Sequence, residues 1–202
     1  MFKTQKSRVE WAVFLGLVCA VLLSFTRFSA SCEELRGNVL RLHIIANSDR
    51  AADQEVKLAV RDRILAETSY LFEGQTELSA AEGIAKENLP RFCAVAEQVL
   101  LEEGFSYDVS ASVEDRFFNT REYEDFTLPA GTYRSLVIKL GKAEGKNWWC
   151  VVFPAVCVPA ASDAKLTDSV SKESAEIAEN PTKYVLRFRT VEWLETLKKR
   201  LP

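Results

Sequence analysis

The sequence contains little of what metal and nucleic-acid sites require. Among its 202 residues there are one histidine (His43) and one methionine, and the five cysteines include no pair spaced as CxxC. These absences argue against a histidine-based metal site, a zinc ribbon and a thioredoxin-like redox site. The net charge of −3 at pH 7 argues against a nucleic-acid-binding face, which would need a basic patch. We therefore expect no metal, no cofactor and no nucleic-acid partner.

Apolar residues, in contrast, are abundant enough to build a core. The chain is 48% hydrophobic and 27% charged, as in globular proteins. With an N-terminal segment set aside, residues 32–202 are predicted to form a single α+β domain of ordinary size. The stretch 160–182 is poor in large apolar residues, and it is predicted to be a polar linker within that domain, with a short surface helix near 168–179 as an alternative.

The N-terminal segment, residues 1–31, has the residue order of an export signal. Lysine and arginine within the first eight residues precede fifteen uncharged residues, Trp11 to Phe25, and small residues follow at 29–31. The apolar run is shorter than the ~20 residues that span a membrane. A cleaved signal peptide and a short uncleaved membrane anchor are therefore both open. In either case the positive end stays inside and the rest of the chain is exported.

The remainder of the chain alternates between strand and helix patterns. The predicted elements are a strand at 40–46, helices at 50–72 and 79–103, strands at 107–114, 133–140, 148–153 and 184–189, and a final helix from 190. Ser48 or Asp49 is expected to cap the first helix, Ser79 and Glu82 form a capping box for the second, and Pro90 should kink or split it. The order β-α-α-β-β-β-β-α predicts an α+β fold, a mostly antiparallel sheet with helices on one face.

Several residues have a possible chemical role and a simpler structural one. His43 could be a general base, but it lies mid-strand, and a hydrogen-bonded structural histidine explains it without a catalytic partner. Asn47, Ser48 and Asp49 could bind a ligand at a helix N-terminus, although capping explains the same residues. Gly141–Asn147 differs from a phosphate loop because it lacks the Ser or Thr and leads into a strand, so a hairpin loop is predicted.

Four residues near the C-terminal end of the predicted sheet suggest contacts or a cross-link. Trp148 and Trp149 are adjacent on a strand and should face opposite ways, so one ring could be exposed to a partner. Cys150 and Cys157 are candidates for a disulfide in an exported domain. On a straight strand they would lie more than ~20 Å apart, so a bridge requires the chain to reverse between them.

Two longer stretches are similar to the stage II sporulation protein R family. They are Val39–Asp49 (VLRLHIIANSD) with Asp53, Gln54 and 57–62, and Leu128–Tyr133 (LPAGTY) with Gly145–Pro154 (GKNWWCVVFP) and Cys157. The family has Pro-Pro-Leu-Cys where this chain has Pro-Ala-Val-Cys at 154–157, a departure that concerns the local turn.

The resemblance implies an exported signalling protein of sporulation, made in the forespore of endospore-forming bacteria. It would act in the space between the two sporulation membranes, secreted or membrane-anchored. There it would trigger a membrane-embedded aspartic protease of the mother cell, which removes the pro-sequence of the sigma factor sigma-E. The resemblance implies no catalytic residue set, and we do not expect an enzyme.

We hypothesise that contacts to this protease come from two stretches of the domain. The candidate contact residues are Asn47, Ser48, Asp49, Asp53, Lys146, Asn147, Trp148 and Trp149. Two other functions remain open from the residues alone. One is an exported cell-wall hydrolase with His43 and Asp49 at its site, and the other is a glycan-binding module that uses an exposed tryptophan.

Overall fold

A four-stranded mixed sheet with helices against it forms the body of the protein. The computed structural model describes residues 2–123, 126–154 and 169–200, with side chains from 8 to 199. The elements are α1 (Phe2–Gly37), β1 (Leu40–Ile45), α2 (Ala51–Thr68), α3 (Leu78–Glu87), α4 (Leu89–Glu102), β2 (Val109–Phe118), β3 (Arg121–Glu122), β4 (Thr127–Leu128), β5 (Gly131–Leu140), β6 (Asn147–Phe153), α5 (Lys172–Glu179) and α6 (Val185–Arg200). Short 3-10 turns at Ser69–Phe72 and Pro181–Lys183 follow α2 and α5.

The strand order is β2-β5-β1-β6, with β3 and β4 paired as a separate hairpin. Strand β1 is central, parallel to β5 and antiparallel to β6. Strands β2 and β5 pair antiparallel along their whole length, from Val109 opposite Leu140 to Phe118 opposite Gly131. The predicted α+β class is confirmed, and among the described strands the β1–β5 pair is the parallel one. A parallel neighbour needs a crossover connection, which α2, α3 and α4 provide.

One face of the sheet packs against α2, α3 and α4. Alternation along the strands directs one side chain in two toward this helix layer. The buried residues of this core include Leu42, Ile44, Val56, Val60, Ile64, Phe92, Val99, Leu136, Ile138 and Val152. The two helices predicted from apolar spacing therefore cover this face of the sheet.

The other face of the sheet has a second core, built around aromatic rings. Phe118, Tyr133 and Val151 pack there with Leu35 from the last turn of α1 and Ala178 from α5. Helices thus contact both faces of the sheet, whereas the sequence predicted them on one. The difference arises because α1 extends past the apolar run into the domain.

Helix α1 crosses the predicted boundary at residue 31 without a break. Its large apolar side chains from Val9 to Leu23 are exposed, whereas Phe28, Cys32 and Leu35 are buried against the domain. The part Arg8–Gly37 is long and apolar enough to cross a membrane, with a mean hydropathy of 2.1 in its best window. A signal sequence at an N-terminus passes the same test.

The end of the chain differs most from the sequence-based expectation. The predicted strand at 184–189 is wrong, because these residues form the end of a 3-10 turn and the start of α6. Alternating Leu186 and Phe188 suggested a strand, but Leu186 is 82% exposed, and Phe188 is buried together with Val191 at helical spacing. That pair packs on Phe28 of α1, a contact that no local pattern could reveal.

Helix α5 lies within the stretch predicted to be a linker, at the place where a surface helix was the alternative, but one of its sides is buried. Ser174, Ala175, Ile177 and Ala178 of this helix are buried. The side chain of Glu34 in α1 binds the N-terminus of α5. The Glu34 carboxylate accepts hydrogen bonds from the Ser171 amide and from the Ser171 and Ser174 hydroxyls. These three donors lower the pKa of Glu34, the Ser174 hydroxyl contributing most. Residues 160–168 lie outside the described part of the chain.

Helix boundaries were predicted with mixed success. The second predicted helix is split at Asn88, and Pro90 stands in the first turn of α4, where its missing N–H leaves no hydrogen bond unmade. The predicted caps are wrong. The N-cap of α2 is Arg50 and that of α3 is Glu77, and neither side chain caps its helix. The Ser48 hydroxyl instead donates to the Asp53 carboxylate in α2, and the Asp49 side chain accepts from the Lys146 amide in another loop.

Candidate functional site

The two stretches singled out in the sequence meet at one end of the sheet. The loop after β1 (residues 46–50) lies against the loop between β5 and β6 (residues 141–146), and we call this pair of loops the loop junction. The Gly145 amide donates to the Ala46 carbonyl at 2.9 Å, and the Glu144 amide donates to the Asn47 carbonyl at 3.2 Å. The two loops therefore continue the sheet's hydrogen bonding beyond its last residues.

Side chains of the first loop complete the loop junction. The Asn47 Oδ1 atom accepts from the Lys142 amide at 3.0 Å, and the Asp49 Oδ1 atom accepts from the Lys146 amide at 2.7 Å. Asn47 and Asp49 therefore hold the loop 141–146 rather than capping a helix N-terminus.

Asp53 in the first turn of α2 is the centre of a hydrogen-bond network beneath the loop junction. Its side chain has no exposed surface. Its carboxylate accepts from Asn47 Nδ2, Ser48 Oγ, the Arg50 guanidinium and the Tyr107 hydroxyl. Burial opposes ionisation, but these donors outweigh it and hold the pKa of Asp53 far below its usual range.

Lys57 extends the network toward the loop between β5 and β6. This lysine is buried, and its Nζ atom donates to the Lys146 carbonyl at 3.2 Å and to Gln54 Oε1 at 2.7 Å. Gln54 Nε2 in turn donates to the Ser48 carbonyl at 2.8 Å. Burial lowers the pKa of Lys57. One helical turn of α2 thus supports both loops of the loop junction.

The structure brings most of the candidate contact residues together, and it shows which of them are buried and which are exposed. Asp53 is buried, and Asn47 and Ser48 are half-buried within the network. The exposed members of the loop junction and its borders are Asp49, Arg50, Lys142, Glu144, Lys146 and Asn147. These side chains form the surface that a partner could contact.

The two tryptophans face opposite sides of the sheet, as alternation predicted. Trp148 packs against the helix-layer core, with the Arg61 guanidinium 5.1 Å from its ring centroid. Trp149 packs on the second core, with the Arg121 guanidinium 3.9 Å from its ring centroid. Both rings are half-buried, and each is covered by an arginine. Neither ring offers the open stacking surface that glycan binding would use.

His43 is held as a structural residue. Its Nε2 atom is 2.9 Å from Asn147 Oδ1, and its ring packs against those of Phe118 and Trp149. Its Nδ1 atom is buried without a hydrogen-bond partner, so His43 shares no hydrogen bond with Asp49. Burial lowers the pKa of His43. The pair proposed for a hydrolase is therefore not assembled.

This burial predicts how His43 affects stability. Because the folded-state pKa lies below the unfolded value of about 6.5, the contribution is present above that pH and is lost as the pH falls through it. We expect His43→Gln, which can keep the bond to Asn147, to lose less stability than the parent between about pH 7 and about pH 5. Urea denaturation at both values measures this, and equal losses would contradict it.

Arg41 is a feature that sequence reasoning missed. Its side chain is fully buried, and its guanidinium carbon lies 3.8 Å from the ring centroid of Phe118 and 4.9 Å from that of Tyr133. Its Nη2 atom donates to the Tyr123 hydroxyl at 2.7 Å, while Nε and Nη1 have no hydrogen-bond partner. Arg41 lies two residues before His43, on the same mixed face of β1. This position in the strand is the feature of the sequence that could have indicated its burial beside the aromatic rings. The arrangement contains no nucleophile and suits a structural role in the aromatic core.

The cysteines and acidic residues do not form a metal site in the described part of the chain, where no group of three possible ligands is found. Cys150 is disulfide-bonded, and Cys19, Cys32 and Cys93 are free. Cys157 lies outside the described residues, so its pairing with Cys150 stays a prediction.

Comparison with known proteins connects the region from the last turn of α1 onward with bacterial sporulation. The family model for stage II sporulation protein R matches residues 36–163. The stage II sporulation protein R of Bacillus subtilis (strain 168) is 32% identical over 147 residues, which make up 73% of this chain and 65% of that relative. No solved structure matches. The matched region contains the whole loop junction.

Proposed function

Because the chain belongs to the stage II sporulation protein R family, we propose that it is an exported sporulation signal that activates a membrane-embedded aspartic protease. Activation would lead to removal of the pro-sequence of sigma-E in the mother cell. The observation that carries this proposal beyond family membership is the loop junction, a braced and charged surface at one end of the sheet. The proposed role is that of a ligand, not of an enzyme.

We propose that α1 holds the protein in the membrane from which it is exported. Its exposed apolar side chains from Val9 to Leu23 suit a lipid environment. Its buried residues Phe28, Cys32 and Leu35 belong to the packing of the domain. Cleavage near residue 31 would remove Phe28 from that packing, which favours an uncleaved anchor over a released domain.

The position of the loop junction fits a signal directed away from this anchor. The last turn of α1 meets the sheet at the start of β5, where the Arg36 guanidinium donates to the Ala130 carbonyl at 2.9 Å. Strands β1 and β5 are parallel, so their other ends, which lead into the loop junction, lie at the end of the sheet away from the last turn of α1. Ten residues of β5 correspond to about 30 Å. The exposed loops would then face the opposite membrane across the intermembrane space.

The surface of the loop junction can bind a partner without rearranging itself. Lys146 contributes its backbone to the fold, through an amide donated to Asp49 and a carbonyl that accepts from Lys57. Its side chain is exposed, as are those of Lys142 and Arg50. Binding activates a protease only if it favours the active state over the inactive one. A rigid surface serves this purpose because little flexibility is lost on binding.

Charge reversal of the two exposed lysines tests the proposed contact surface. We expect the double variant Lys142→Glu and Lys146→Glu to abolish pro-sigma-E processing when the full chain is co-expressed with the protease and its substrate. The free energy of unfolding should change little, because both side chains are solvated and the backbone contacts remain. Immunoblots of pro-sigma-E and mature sigma-E measure the result.

Lys172→Glu is the matched control, because Lys172 is an exposed lysine on α5, at the α1 side of the domain. This variant should process normally at the same protein level. Normal processing by the double variant would place the contact surface elsewhere. Processing that does not depend on the parent chain at all would refute the signalling role.

A further inference from the structure

The start of α6 exposes apolar side chains next to the point where α1 would leave the membrane. Leu186 is 82% exposed and Val185 is 50% exposed. Beside them, Arg187 Nη2 donates to Ser24 Oγ of α1 at 2.9 Å. The Tyr184 ring stacks on Phe28 with ring centroids 5.7 Å apart. The apolar start of α6 is therefore held at the level of residues 24–28 of α1.

Helix α6 runs beside α1 in the same direction. Arg187 contacts Ser24, and Phe188 packs on Phe28 with ring centroids 5.3 Å apart. Farther along, Val191 joins the same buried cluster as Cys32. The start of α6 therefore points toward the apolar part of α1, and the rest of α6 leads away from it.

The apolar part of α1 is too short to span the membrane alone, which would bring residues 24–28 and the start of α6 into contact with lipid. Fifteen uncharged residues from Trp11 to Phe25 span about 23 Å as a helix, whereas the hydrocarbon layer is about 30 Å thick. A short span is accommodated by drawing neighbouring groups to the boundary and by thinning the bilayer. Residues 24–28, and with them the start of α6, would then lie at the outer edge of the hydrocarbon.

We propose that the start of α6 inserts Val185 and Leu186 into the outer leaflet beside α1, forming a second contact of the protein with its own membrane. Arg189 follows these side chains and is exposed, and a long cationic side chain can reach the headgroup level while its stem stays in an apolar layer. The contact would fix the orientation of the domain on its anchor. The proposal rests on the part of the proposed function that keeps α1 in the membrane.

Lipid photo-crosslinking of the full chain tests this contact directly. The chain is reconstituted in nanodiscs of phosphatidylethanolamine and phosphatidylglycerol that carry a diazirine near the headgroup end of an acyl chain, and tryptic peptides are analysed after irradiation. We expect lipid adducts on Tyr184–Arg187 as well as on Val9–Arg27, and none on Phe92–Arg116. The last peptide contains Leu101, a leucine of α4 that is 71% exposed and serves as the matched control.

Two substitutions complete the test. Leu186→Glu should abolish adducts on the peptide 184–187 and leave those on 9–27, whereas Leu101→Glu should change neither. Adducts on 9–27 without any on 184–187 would overturn the inference and leave the membrane anchor intact. Equal adducts on the Leu101 peptide would show nonspecific contact and overturn it as well. Absence of adducts on 9–27 would refute the anchor itself and the inference that rests on it.

Discussion

Replacing Asp53 with asparagine is expected to lower the free energy of unfolding by about 2–3 kcal/mol. Asp53 lies near the surface, yet four partners cover its side chain completely. Asparagine has nearly the same shape but no charge, and its amide nitrogen would face donors instead of accepting from them. The Ser48 hydroxyl donates to Oδ2 and the Tyr107 hydroxyl to Oδ1, so one of the two would lose its acceptor whichever way the amide is oriented. Equilibrium unfolding in urea measures the difference.

The pH dependence of stability provides the diagnostic for Asp53. Its folded-state pKa lies below the unfolded value of about 3.9, so its stabilisation is present above that pH and is lost as the pH falls below it. The loss of stability below about pH 4 should therefore be smaller in Asp53→Asn than in the parent. This window is separate from that of His43.

Asp62→Asn is the control for Asp53. The side chain of Asp62 is 65% exposed and pairs with Arg61 on the same helix. We expect its free energy of unfolding to change by no more than about 0.5 kcal/mol and its loss of stability at acid pH to match that of the parent. If Asp53→Asn matched this control in both measurements, the network beneath the loop junction would not stabilise the fold.

Replacing Gly145 with alanine is expected to destabilise the protein by about 2–3 kcal/mol and to abolish processing. A Cβ atom at this position would lie 2.3 Å from the Ser48 carbonyl oxygen and 2.5 Å from its carbonyl carbon. Both are backbone atoms, so relief requires the two loops to separate. Separation would break the hydrogen bond from the Gly145 amide to Ala46 and displace Lys146.

The same substitution at Gly83 should stabilise the protein instead of destabilising it. Gly83 lies inside α3, and a Cβ atom there meets nothing within 4 Å. Alanine favours the helix over glycine by up to about 1 kcal/mol, so Gly83→Ala should raise the melting temperature and process normally. Destabilisation of both variants by similar amounts would show that the loops do not approach as closely as described.

The close approach at Gly145 also explains a pattern that suggested chemistry. The glycine spacing in Gly141–Asn147 resembles part of a phosphate loop. Gly141 has a φ of 56°, and a Cβ atom there would meet Asn47 Oδ1 at 2.4 Å. Both glycines are thus accounted for by the packing of the loop junction. The predicted hairpin loop is wrong, because β5 and β6 lie on either side of β1 and do not pair with each other.

Local sequence patterns were sufficient to predict the elements that are specified by side-chain periodicity or by a single backbone constraint. Alternation predicted β1, β5 and β6 and the opposite facing of Trp148 and Trp149, and Pro90 marked the boundary between α3 and α4. The long motifs around Val39–Asp49 and Gly145–Pro154 were sufficient for the family. These features depend on side-chain period, backbone constraint or residue identity, all of which are present in the sequence itself.

Features that depend on distant partners required the tertiary structure. The positions of Leu186 and Phe188 fit a strand and a helix equally well. The contact of Phe188 with Phe28 of α1, some 160 positions earlier, decides for the helix. Ser48 and Asp49 are good helix caps, but a nearby loop and the Asp53 carboxylate are the partners they bind. Polar side chains take whichever partners the fold brings within hydrogen-bond reach. A cap, a linker helix or a contact surface is therefore decided by neighbours that are remote in sequence.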